Sequence, residues 1–180
     1  MFFIPGPIIS AATFPGVIVH EAAHVFFCKR EKVAIFNVCY FRFGWNVAGY
    51  VEHEATNDLR KSFWISMGPF FLNTLLCIVF CSAAFVPIRE FGLKDPISYF
   101  FYWLGLSIGM HAFPSTQDLS NVRELLAPAR RKGDWMAYVA YPVVGVLYLA
   151  NLGRFFWLDY GYGLLVGIIG PLAVLKLLVR

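Results

Sequence analysis

Five apolar stretches, each near the roughly 20 residues a helix needs to cross a bilayer, occupy most of this 180-residue chain. They are Ile4–Phe27, Phe63–Val86, Ile97–Phe113, Met136–Leu152 and Phe155–Leu175. Lipid offers no hydrogen bonds to the backbone, so a helix, which satisfies its own, is the predicted state of each. Composition agrees. The chain is 59% hydrophobic and 14% charged, against roughly 25% charged for a soluble domain. The expectation is an all-α polytopic membrane protein, one membrane-embedded domain over residues 1–180, with about five transmembrane helices. A short β-hairpin is expected between the first and second helices, because Val33–Val51 is rich in β-branched and aromatic residues and is broken by Gly44 and Gly49. Little more than Gly153 and Arg154 separates the last two spans, so a re-entrant pair is the alternative there. Pro96 suits a helix start, and the first thirty residues lack the basic start and cleavage site of a signal peptide.

A net charge of +4 does not point to nucleic acid, because the basic residues are scattered between apolar runs. Membrane topology accounts for them better, since Lys and Arg stay on the cytoplasmic side. Strict alternation of five spans groups the first long loop (Lys29, Arg30, Lys32, Arg42, Arg60, Lys61) with Arg123, Arg130, Arg131 and Lys132, and with Lys176 and Arg180 of the tail. Arg89, Lys94 and Arg154 fall opposite. The N-terminus is therefore expected outside and the C-terminus in the cytoplasm. Cys28, Cys39, Cys77 and Cys81 lack zinc-type CxxC pairing and read as small packing residues.

The first span contains His20-Glu21-Ala22-Ala23-His24, an HExxH motif. His20 and His24 lie one helical turn apart, so both imidazoles can reach one Zn2+ ion. Glu21 sits off that line, where a carboxylate takes a proton from a metal-bound water. Ionisable groups at mid-membrane cost about 2.5–3.5 kcal/mol each on insertion scales, and coordination offsets that cost. The chemistry implied is hydrolysis. Pro15-Gly16, just before the motif, can loosen the helix and admit water.

A hydrolytic zinc has three protein ligands and an open position. The preferred third ligand is Asp118, after the third span, with His111 its rival; alternation brings both to the depth of the motif. If Asp118 binds zinc, His111 is left to orient substrate or stabilise an oxyanion. The competing reading of Asp118 is a helix N-cap. His53, in a polar loop, is expected to be exposed. Asp159 is expected at the outer end of the last span, on the wrong side for the zinc. Gly68-Pro69 and Asn73 are read as packing features, the amide bonding across helices.

These features together resemble the site-2 protease family of intramembrane zinc metalloproteases. The likeness rests on the HExxH motif in a span, the loop around Gly49-Tyr50-Val51, Gly68-Pro69 with Asn73, and the run from Pro114 to Asp118. It implies that His20, His24 and Asp118 bind zinc, that Glu21 activates water, and that the substrates are transmembrane segments of other proteins. The chain departs from the family where an Asn, a Pro and then Leu-Asp-Gly are usual: here stand His111, Pro114 and Gln117-Asp118-Leu119, and Asn73 comes one residue late. These mark a divergent branch, without a PDZ-like insertion.

An intramembrane peptidase must take its substrate in extended form, and the edge of the Val33–Val51 hairpin is the candidate holder; a hairpin that only caps the helices is the alternative. The leading function is thus a zinc-dependent intramembrane endopeptidase acting on membrane-protein substrates within the lipid bilayer, its site near the cytoplasmic boundary. The alternative is an inactive scaffold or regulatory partner that keeps the fold, for which Glu21 would be superfluous. A metal transporter ranks last, because the final two spans carry little ionisable lining.

Overall fold

The computed structural model describes residues 6–44, 48–92 and 95–178, apart from the side chains of Phe155 and Leu178. Val47, within the stretch expected to form the hairpin, and Lys94 and Arg180 lie outside these residues. The order of elements is α1 (Gly6–Ala12), α2 (Phe14–Arg30), β1 (Ile35–Cys39), β2 (Tyr50–His53), α3 (Leu59–Glu90), α4 (Pro96–Met110), α5 (Thr116–Arg131), α6 (Trp135–Leu152), a 3-10 turn at Gly153–Phe156, and α7 (Leu158–Leu178). The molecule is mainly helical, with one small antiparallel sheet.

Three helices among the described residues, α3, α6 and α7, are long and apolar enough to cross a membrane. The bent pair α1 and α2 adds a fourth if counted as one span. The expectation of five spans is therefore met in part: α4, with 15 residues, reaches only about 23 Å at 1.5 Å per residue. In the pair, the axis turns by 84° at Thr13, immediately before the Pro15-Gly16 step, which lies in the first turn of α2 where proline is tolerated. Pro96 does open α4, and the Asp95 carboxylate caps it through Ile97 N–H and Ser98 N–H, both at 3.0 Å.

Helix α3 is the axis of the fold. At 32 residues it is about 48 Å long, and two groups of helices use its two halves. Along the second half pack α4 and α7, and small residues permit the approach. A Cβ at Gly105 would stand 2.6 Å from Cys81 Sγ, and one at Gly109 equally close to Cys77 Sγ. Both cysteines are fully buried, in the packing role expected of them. Along the first half lies the α5–α6 hairpin. Leu119, Val122 and Leu126 of α5 recur at helical spacing and close a core with Leu59, Phe63 and Met67 of α3 and Ala137, Ala140 and Val144 of α6.

This arrangement corrects two placements drawn from strict alternation. Since α5 and α6 run back to back beside the first half of α3, the α6–α7 turn returns to the level at which α5 began. Asn151 at the end of α6 reaches Thr116 at the start of α5. Arg154 and Asp159 therefore stand on the side of the HExxH motif. Helix α7 then runs the other way, and Lys176 borders Arg89 and Glu90 at the far end of α3, apart from the first-loop bases with which it was grouped.

The hairpin forms within Val33–Val51 and slightly beyond. Cys39 pairs with Tyr50, Val38 with Val51 and Asn37 with Glu52, before a register irregularity toward Ile35 and His53.

Candidate metal centre and its cavity

Local sequence rules build the centre. The 3.6-residue period of α2 puts His20 and His24 on one face, and both are buried with Glu21. Their Nε2 atoms are 3.2 Å apart. His24 Nδ1 lies 2.9 Å from the Ile65 carbonyl oxygen; a carbonyl only accepts, so Nδ1 carries the proton and Nε2 of the neutral ring keeps its lone pair. That carbonyl is available because residue 69, four positions on in α3, is Pro69, which has no N–H to donate.

Asp118 arrives from the other side. It is not the N-cap weighed from sequence. Ser115 is the N-cap of α5, and Asp118 occupies the third helical position of a reciprocal capping box. Asp118 Oδ2 accepts from Ser115 N–H at 2.8 Å and from the Ser115 hydroxyl at 2.6 Å, while Asp118 N–H donates to Ser115 Oγ at 3.1 Å. So fixed, Oδ2 stands 3.6 Å from His24 Nε2.

One donor atom from each of His20, His24 and Asp118 lies within 4.8 Å of the others. Ligands about 2.1 Å from a tetrahedral zinc are about 3.4 Å from one another, close to the two separations above. The donor set, two imidazoles and a carboxylate, is a zinc set, and the backbone bond at His24 Nδ1 is the outer contact that ligating histidines make. His20 Nδ1 is buried without a hydrogen bond among the described residues. The residues fit the ion.

Glu21 lies outside the triad but within reach of the Asp118 charge. The hairpin presses on it: a Cβ at Gly49 would come within 2.7 Å of Glu21 Cγ and 3.0 Å of the Tyr40 carbonyl oxygen. Only glycine lets this strand cover the carboxylate so closely.

His111 caps the C-terminal end of α4 and does not join the triad. Its Nε2 is 2.8 Å from Thr13 Oγ1. The single Thr13 hydroxyl proton goes to the Ile9 carbonyl at 2.7 Å, so His111 Nε2–H donates to Thr13, and Nδ1 of the neutral ring is the acceptor. Asn73, fully buried, donates to the His111 carbonyl at 3.1 Å, the interhelical role expected of it. Gly16 lets α2 lie against Ser107 of α4, where any side chain would overlap the Ser107 carbonyl.

His20, Glu21, His24, His111 and Asp118 share a cavity of about 690 Å³. All four histidines of the chain line it, including His53, which is half-buried in β2 rather than exposed as the polarity of its loop implied. Among the lining residues that sequence reasoning did not assign to the site are Arg154 and Tyr160. Their signal was present in the Arg154–Asp159 charge pair flanked by tyrosines, but alternation assigned it to the opposite surface. No family model, curated protein or solved structure matches the chain.

Proposed function

We propose that this chain is a zinc-dependent intramembrane endopeptidase that hydrolyses peptide bonds in or near transmembrane segments of other membrane proteins. The observation that carries the reading is the convergence of His20, His24 and Asp118 on one point with Glu21 beside them, in a helix pair apolar enough to span a bilayer. His20 Nε2, His24 Nε2 and an Asp118 oxygen would hold the ion. Bound zinc supplies an acidified water and a polarised carbonyl.

The remaining work falls to side chains. Glu21 takes a proton from the attacking water and returns it to the leaving amide nitrogen, so that water adds across the peptide bond. Ser115 and the Ile65 carbonyl fix the orientations of Asp118 and His24. With its Nε2–H engaged by Thr13, His111 has no donor left for an oxyanion; its Nδ1 suits it to accept a substrate N–H, which favours the orienting role of the two considered. The cover of Gly49 over Glu21 keeps bulk water from the carboxylate.

In this reading α4, flanked by α3 and α7, is the fifth membrane-immersed segment. Lys29, Arg30 and Lys32 at the end of α2 put that end in the cytoplasm, the N-terminus outside and the site near the cytoplasmic boundary.

The test is zinc per chain in the detergent-purified protein, and cleavage of transmembrane substrates, for wild type, Glu21→Gln and His20→Ala. One zinc in wild type and Glu21→Gln, its loss in His20→Ala, and cleavage by wild type alone support the peptidase. Zinc without any cleavage, or with cleavage unchanged by Glu21→Gln, leaves the non-catalytic scaffold. No zinc in folded protein after reconstitution sinks the reading.

A further inference from the structure

Among the described residues that line the cavity of the triad, Arg154 is the one permanently charged base. Two groups fix its guanidinium from behind. Nε donates to Asp159 Oδ2 at 3.1 Å and Nη1 to Asn151 Oδ1 at 3.3 Å. Asp159 is itself buried, at 5% exposure, and its Oδ1 accepts from Tyr160 N–H at 3.0 Å. Asn151 is tied in turn to the Thr116 hydroxyl at 3.4 Å, in the first turn of the helix that brings Asp118. The frame that places the third donor thus also places the base.

Arg154 borders the cavity and Asp159 does not, so the carboxylate stands at the back and the cation in front. A guanidinium is a planar fork of five N–H donors. The two bonds engage Nε and one proton of Nη1, and leave Nη2 without a partner among the described residues. A guanidinium held rigid with free donors is preorganised for a carboxylate, which it binds through two parallel hydrogen bonds. Gln117 and Asn121 also line the cavity, and its two carboxylates, Glu21 and Asp118, belong to the motif and the triad.

We propose that Arg154 forms a carboxylate-binding subsite of this cavity. Its ligand is an anionic group on the substrate chain, either an Asp or Glu side chain or a terminal carboxylate. The proposal rests on the peptidase reading for the identity of the ligand as a polypeptide.

Binding is measured on the full chain in detergent micelles, in a Glu21→Gln background so that nothing is cleaved. The probes are three fluorescent apolar peptides built on one uncharged sequence: amidated and neutral, amidated with one internal Glu in place of a neutral residue, and otherwise uncharged with a free C-terminal carboxylate. One carboxylate peptide is expected to bind about tenfold more tightly than the neutral one, and which one does so identifies the source. Arg154→Gln erases the preference and Arg154→Lys keeps part of it. Since Arg154→Gln strands the buried Asp159, Arg154→Gln/Asp159→Asn is measured beside it and is expected to erase the preference equally.

Equal binding of the three peptides by the protein with Arg154 intact overturns the proposal whether or not a variant folds. So does a preference that survives the double substitution. Zinc per chain is counted on the same samples. An Arg154-dependent preference in protein that takes up no zinc keeps the subsite and removes the peptidase; zinc uptake without preference does the reverse.

Discussion

His24 and Pro69 are joined through a single oxygen. His24 Nδ1 donates at 2.9 Å to the Ile65 carbonyl, the acceptor in α3 from which Pro69 withholds the usual helical N–H. A proline inside a helix is costly, about 3 kcal/mol or more. Here its effect is to leave one carbonyl of a buried helix directed at a histidine of the neighbouring one.

Pro69→Ala restores the N–H and gives Ile65 a helical donor that competes with His24. Outer contacts of this kind change metal affinity by about 10–100-fold, so zinc affinity, measured by chelator competition, falls within that range while the thermal midpoint holds or rises. Unchanged affinity would show that the Ile65 bond does not tune the site.

Asp118→Asn and His111→Ala separate the two candidates for the third ligand. Asp118→Asn loses zinc and weakens the capping box of α5, for which about 1 kcal/mol of stability is the expected scale. His111→Ala keeps one zinc per chain, forfeits the Thr13 bond at a net cost of about 1 kcal/mol, and loses most cleavage. Zinc loss in His111→Ala with retention in Asp118→Asn would reverse the assignment.

Gly49→Ala places a methyl group 2.7 Å from Glu21 Cγ, too close for any Cβ contact, with the Tyr40 backbone behind it. Zinc content is expected to stay at the wild-type level, because Glu21 is not a ligand, while cleavage falls at least tenfold. Loss of zinc in step with activity would mean that the hairpin supports the triad itself.

Outside the apolar helices, Asp95 at the N-cap of α4 carries a shifted carboxyl. The Ser98 hydroxyl, at 2.7 Å, and the N–H groups of Ser98 and Ile97 hold its carboxyl below the ordinary value. A carboxyl depressed in the folded state stabilises above its unfolded pKa, about 3.9, and that contribution is lost as pH falls through the folded value. Between pH 6 and 2 the thermal midpoint of wild type is expected to fall more steeply than that of Asp95→Asn, which caps without titrating. Parallel curves would show that the cap does not contribute.

Much of the site was legible because its parts are local. HExxH fixes its own geometry through helical spacing, Pro96 opens α4, and the β-rich stretch from Val33 forms a hairpin. Asp118 was found at the right level, but its capping-box position depends on Ser115 three residues earlier. Arg154 was hidden for a different reason. Alternation assumes that every apolar helix crosses to the other side, and it fails where the amphipathic α5 gives α6 a helix to pack on beside the first half of α3. His53 was misread because loop polarity predicts exposure, whereas strand register places a residue irrespective of its neighbours in sequence. The break at Thr13 was signalled nearby rather than in place: Pro15-Gly16, two residues on, marks a weak point in the helix, while the bond from His111 to the Thr13 hydroxyl joins residues about a hundred positions apart and has no local signal.

About two-thirds of the chain must be made before the three donors of the centre can meet. His20 and His24 emerge early, Asp118 follows about 90 residues later and Arg154 later still, which at 5–20 residues per second is a delay of roughly 5–20 s between histidine and aspartate. Throughout that interval the first helix holds three ionisable groups in five positions without their fixed partner. On the intramembrane reading, the newborn protein therefore passes through a stage in which the helix that bears the motif carries its ionisable groups before the residue that completes the triad exists.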